Sequence, residues 1–222
     1  MYQPLTASLK KTKMKTIIIF IFILLTLISC EKNEEMPVLA GDINLEMFHY
    51  EFNPALKVQL QIDSVNNRKY GKDSVDIDQD GNYDLFIQQN LFIDWKETDR
   101  LDYGTYFGKL VTKNGLEINT KTETYYIGLG QTSDINWVDT IKYEDRIDSR
   151  DNWSDPNNTI YKFMWALPSE PTMSNGCWFN ILNEEKYIGI RIKINSIYKY
   201  GWVKVNQDSE RNIEIQSYAI EK

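Results

Sequence analysis

The sequence predicts an all-β protein, a single antiparallel β-sandwich, and three observations carry that expectation. From Tyr187 to Ile194 the chain alternates, placing Ile188, Ile190, Ile192 and Ile194 on one face and Gly189, Arg191 and Lys193 on the other. That period of two is the pattern of a strand with one buried face. Aromatic residues make up 13% of the chain, with 14 tyrosines, and such side chains pack well on pleated surfaces. No stretch sustains the 3.6-residue periodicity that a helical domain would need.

The elements follow in order. Leu56–Val65 alternates Leu56, Val58, Leu60 and Ile62 with polar neighbours, the pattern of one half-buried strand. Asp84–Ile93 is a second strand. Thr105–Val111 and Leu116–Ile118 flank Lys113-Asn114-Gly115 and read as a hairpin, because Asn-Gly supplies the positive φ angles of a tight turn. Thr124–Leu129 and Tyr161–Leu167 are further strands. The acidic stretch Asp134–Pro156 is open between a short helix and a long loop packed by Trp137 and Trp153. After Tyr187–Ile194, the strand Tyr200–Val205 points Val203 and Val205 inward and Trp202 outward, and Ile213 and Ile215 mark a closing strand. Strands of this kind, with one wet face, build a sandwich. Neither a linker nor a fixed-period repeat interrupts residues 41–222, which are expected to form one domain.

The N-terminus reads as an address. Lys10, Lys11, Lys13 and Lys15 precede the apolar block Ile17–Ile28, and no acid occurs in the first 29 residues. A block of about 12 residues is too short for a membrane-spanning helix of ~20 but fits a signal-peptide core. Met14 offers an alternative start. Leu27-Ile28-Ser29-Cys30 resembles the lipobox of bacterial lipoproteins, which implies cleavage after residue 29 and lipidation of Cys30. Several acyl chains on one cysteine would anchor the protein stably in a membrane. Residues 30–40 then form an acidic tether. Its Glu-Lys-Asn-Glu-Glu run is similar to the acid-rich tethers that send some lipoproteins to the outer face of the outer membrane.

Charge narrows the partners. Removing residues 1–29 takes away four of 25 basic residues and none of 32 acidic ones, so the net charge moves from −7 to −11. Such a chain repels phosphate backbones, so nucleic acid is not an expected partner. Cys177 is the single cysteine left beside Cys30, and its apolar surroundings suit a small buried hydrophobe.

One segment carries chemistry. Residues 76–84 read Asp-Ile-Asp-Gln-Asp-Gly-Asn-Tyr-Asp. Asp76, Asp78 and Asp80 alternate and can converge, Gly81 permits a sharp turn, Asn82 offers a carbonyl, and Asp84 adds a fourth carboxylate. A hard cation such as Ca²⁺, which takes six to eight oxygens, suits that set, and its expected role is structural. The twelfth position is Ile87 rather than the bidentate Glu of an EF-hand. The segment resembles instead the DxDxDGxxD loops of extracellular β-proteins. Together with Tyr187–Ile192, Tyr200–Val205 and Ser217–Ala219 it resembles a family of uncharacterised exported bacterial β-domains, some of them lipoproteins. The resemblance implies fold, export and calcium, and brings no activity with it.

His49 is the single histidine, so a multi-histidine zinc site is ruled out and a Ser-His-Asp triad would depend on that residue. In its Phe-His-Tyr-Glu-Phe setting it reads as a packed strand residue. No Gly-x-Ser-x-Gly elbow, HExxH helix or P-loop occurs. The leading expectation is a non-enzymatic lipoprotein of the outer membrane, binding a glycan or an envelope protein. Trp202, and after it Trp137 and Trp153, are the expected ligand-facing aromatics. A polysaccharide-active hydrolase using paired carboxylates and a structural subunit of an envelope complex stand as alternatives.

Overall fold

Why the strands sort into layers follows from where their apolar faces go. The computed structural model describes residues 37–65, 68–92, 106–128, 131–155, 160–166, 178, 184–207 and 212–222. Fourteen strands occur there and no helix: β1 (Val38–Leu39), β2 (Met47–Lys57), β3 (Gln61–Asp63), β4 (Arg68–Val75), β5 (Leu85–Phe92), β6 (Tyr106–Thr112), β7 (Leu116–Ile118), β8 (Thr120–Gly128), β9 (Gln131–Val138), β10 (Arg146–Ile147), β11 (Ile160–Ala166), β12 (Lys186–Ile194), β13 (Ile197–Gln207) and β14 (Ile213–Glu221). Seven form one sheet in the order β3-β4-β5-β6-β11-β9-β8, and five form another, β2-β14-β13-β12-β7. Pairing is antiparallel except where β11 meets β9.

The two sheets pack face to face. Val75, Leu85, Ile87 and Leu110 from the larger sheet meet Ile188, Ile190, Ile192, Val203, Val205 and Ile215 from the smaller one in a single core. Each such side chain stabilises the fold by about 1.5–3 kcal/mol when fully buried. The predicted alternation in β12 is therefore real, and only Ile194, at the strand end, escapes burial. Asn195 and Ser196 link β12 to β13, both with positive φ (50° and 68°), which gives the turn a twist that matches the strands.

The face expected to be wet is largely covered. Tyr187, Tyr200, Trp202 and Ala219 point away from the main core into a second cluster with Val38, Ala40, Met47, Ile141 and Ile147. The cover consists of the pair β1–β10 and the loop from Asp139 to Asp155. Ile118 and Ser154 hold the loop's far end through two backbone-directed hydrogen bonds, each 2.9 Å. The acidic stretch thus holds the end of β9 and then a loop that carries β10 and is packed by Trp153, with no helix among its described residues. Because Val38–Leu39 is a strand and Ala40 is buried, the packed unit starts at Pro37 rather than at residue 41.

Two predicted elements change identity. Leu56–Val65 is two pieces: Leu56 and Lys57 close β2 in the smaller sheet, and Gln61–Asp63 forms β3 in the larger one. Between them Val58 drops into the core and its N–H reaches the Ile213 carbonyl at 3.2 Å. The hairpin around Asn114-Gly115 is a sheet crossing. The turn forms, with φ of 53° and 79° and a Leu116 N–H to Lys113 carbonyl bond of 2.9 Å. Its arms then diverge, β6 into the seven-stranded sheet and β7 into the five-stranded sheet. An Asn-Gly turn fixes local chain reversal, and it does not fix which strand each arm pairs with.

Candidate metal centre

The 76–84 segment connects β4 to β5 at one end of the larger sheet. Its ends are pinned: the Asp84 N–H donates to the Val75 carbonyl at 3.0 Å, and the Lys113 N–H donates to the Asp84 carbonyl at 2.8 Å. Ile77 sits wholly within the main core, so alternate residues of the loop are forced outward. Gln79 and Gly81 take positive φ, 60° and 92°, and turn the chain back on itself. At Gly81 a side chain would be strained by that backbone, although space is open around it.

The fold brings together three of the five predicted ligands. One carboxylate oxygen each from Asp76, Asp78 and Asp84 lies within 4.8 Å of the other two. Two oxygens on one Ca²⁺, each about 2.3–2.6 Å from it, are at most roughly 5 Å apart, so the spacing fits a shared ion. Asp80 and Asn82 are engaged with each other at the exposed rim. The Asn82 N–H and side-chain amide donate to the Asp80 carboxylate at 2.8 and 3.2 Å.

Each carboxylate has a distinct setting. Asp84 has no exposed surface, and its Oδ2 accepts the Ile77 N–H at 2.8 Å while its Oδ1 accepts the Asn114 amide at 2.9 Å. Asp76 Oδ2 accepts the Gly81 N–H at 2.9 Å. Its other oxygen, Oδ1, is shut off from solvent and has no hydrogen-bond partner. A buried anionic oxygen left so is costly, by about 1–3 kcal/mol or more, unless a cation meets it. Oxygen donors with about three negative charges and one uncompensated oxygen fit a hard divalent cation.

Burial, aided by neighbouring aspartates, pushes the Asp78 and Asp84 carboxyls above their ordinary range. For a raised carboxyl the folded chain binds its proton more tightly than the unfolded one. Its contribution without a cation is therefore present below the ordinary range and lost as pH rises through the raised value. A bound cation would reverse this by holding both groups ionised.

Asn114 escaped the sequence reading. Its Asn-Gly context signalled a turn, and the contact with Asp84 depends on a pairing of residues thirty apart. Tyr218 is a second such residue: its hydroxyl donates to the Asp76 carbonyl at 2.9 Å and accepts from the Gln79 amide at 3.4 Å. β14 thereby holds the loop from the smaller sheet.

The tryptophans lie elsewhere. Trp202 is 2% exposed, edge-on to Tyr187 at 5.4 Å, and its indole N–H donates to the Asp42 carbonyl at 3.1 Å. Trp137 is 1% exposed. Trp153 is half-buried, 5.7 Å from Tyr200 and beneath the Arg191 guanidinium at 4.6 Å. Trp202 does face outward from the main core, as expected, but the β1–β10 layer covers it, so neither it nor Trp137 presents a ring to solvent. His49 is exposed on the edge strand β2, its ring 5.9 Å from Trp202, rather than packed within a strand layer. Cys30, the residues before it, the tether to residue 36, Trp95 and Cys177 lie outside the described residues. No family model, no characterised protein and no solved structure matches the chain.

Proposed function

We propose that the chain is a non-enzymatic binding module, exported and held at the outer membrane by lipid on Cys30, whose β-sandwich is braced by one structural Ca²⁺. The observation that carries the metal reading is the clustering of Asp76, Asp78 and Asp84 around a buried, unpartnered Asp76 oxygen. The lipobox-like Leu27-Ile28-Ser29-Cys30 and the basic, apolar segment before it support export and anchoring. The acidic tether after Cys30 supports display on the outer face.

Calcium serves the fold in this reading. Asp76 and Asp84 connect by hydrogen bonds to β14 and to the β6–β7 crossing turn respectively, so an ion on their carboxylates would join both sheets. The ligand is a glycan or an envelope protein, bound on surface outside the Trp202 cluster.

Calorimetric titration of the chelator-treated protein with Ca²⁺ tests the metal. One ion per chain is expected, and Asp78→Ala should lose it; a flat titration of the parent protein refutes the ion. Fractionation of cells making Cys30→Ala tests the anchor, since the processed variant should leave the membrane fraction. Unchanged fractionation would refute lipidation.

A further inference from the structure

Outside the metal loop, the outer face of the larger sheet carries a positive spot that no carboxylate of the described residues pairs with. Successive strand residues point to opposite faces, so β4 and β5 send Val75, Leu85 and Ile87 to the core and Lys72, Ser74, Phe86 and Gln88 outward. The Lys72 ammonium lies 4.6 Å from the centre of the Phe86 ring and that of Lys113 lies 4.9 Å from it. The two charges are therefore no further apart than the sum of those distances, and both residues are exposed.

Neither ammonium has a carboxylate partner among the described residues, whereas Lys57, Lys121, Lys186 and Lys204 each do. A ring attracts a cation without neutralising it. Tyr83, 57% exposed, meets Phe86 edge-on at 6.2 Å and extends the aromatic surface beside the two charges. Two free cations held beside aromatic rings, on a chain that is otherwise strongly acidic, form a localised site for an anion.

We propose that Lys72 and Lys113, gathered over Phe86 next to Tyr83, bind the acidic group of a polysaccharide, a sugar carboxylate or sulfate. The lysines meet the anion and the tyrosine offers an apolar face to the sugar ring. The excess of acids over the rest of the chain opposes the dense charge of a nucleic-acid backbone. This inference rests on the binding-module reading and names its ligand class.

The site adjoins the metal loop. Tyr83 belongs to that loop, and the Lys113 N–H holds the Asp84 carbonyl. An ion there would offset carboxylate charge that otherwise repels the ligand, so calcium and acidic sugar should each tighten the other's binding.

The test measures binding of the full-length protein, purified in mild detergent, to carboxymethyl-dextran, dextran sulfate and plain dextran, with calcium and with chelator. Retention on one or both acidic polymers, and none on plain dextran, is expected, and the acidic polymer preferred identifies the group. Lys72→Glu/Lys113→Glu should weaken binding at least about tenfold, and binding should fall as salt rises. Lys142→Glu/Lys193→Glu, an equal charge change elsewhere, should leave it within about twofold. Equal retention on all three polymers, no retention, or equal loss in both double variants would overturn the proposal. Binding that survives chelator yet is lost in Lys72→Glu/Lys113→Glu keeps this site and counts against the metal instead.

Discussion

At the scale of single residues, the same side chain type does opposite work in different places. Asp76 keeps one buried oxygen that no hydrogen bond meets, whereas Asp148 is supplied with two cations. Arg150 and Arg146 both bond its carboxylate, and the Arg150 contact above all holds Asp148 down to about 2. A depressed carboxyl stabilises the fold above its ordinary value of 3.8, and that contribution is lost as pH falls toward about 2. Asp148→Asn should accordingly be less stable than the parent in denaturant titrations at neutral pH. The gap should narrow between pH 4 and pH 2. A gap that is constant over that interval would show that the arginines contribute nothing through the charge.

Residue identity was legible where chemistry is local. Asp76, Asp78 and Asp84 announce themselves by alternation and by Gly81, since nine adjacent residues build most of the site. Trp202 shows the limit. Its outward orientation follows from Val203 and Val205 pointing in, but its burial depends on Val38, Ala40 and Ile147, far away in the chain.

Elements show a similar division. A strand with one face in the core leaves a period of two in its own sequence, which is why β12 and β13 were readable. The partner of a strand leaves no such mark. The Asn114-Gly115 turn was legible as a turn, yet β6 and β7 join different sheets, and the crossing places Asn114 on Asp84. Val58 similarly fits an alternating pattern while marking the point where the chain changes sheets. Asn114→Ala removes a hydrogen bond to a buried carboxylate, a loss of about 1.5–3 kcal/mol. The variant should melt lower than the parent in chelator and bind Ca²⁺ about tenfold more weakly, as read by calorimetry. An affinity equal to the parent's would mean that Asp84 needs no help from the crossing turn.

At the scale of the whole molecule, the smaller sheet is the middle of three layers. Its inner face meets the seven-stranded sheet, and part of its outer face meets β1, β10 and the Asp139–Asp155 loop. Arg191 clamps that outer surface, with Glu117 at 2.6 Å and the Trp153 and Tyr198 rings on its guanidinium at 4.6 and 4.1 Å. The sandwich was predictable from composition and alternation, while the third layer was hidden because short strands such as β1 and β10 carry almost no periodicity.

The 76–84 loop is bonded to both major sheets, so an ion held there should stabilise the packed unit as a whole. An ion held only by the folded state, at a hundredfold excess over its dissociation constant, adds about 2.7 kcal/mol. For a domain of this size that corresponds to a rise in melting temperature of about 5–10 °C. Thermal melts of the parent protein and of Asp78→Ala, each in calcium and in chelator, measure this directly. The parent should melt about 5–10 °C higher with calcium than with chelator, and the variant should melt at one temperature in both. Coincident melts of the parent in calcium and in chelator would contradict the claim that calcium braces this fold.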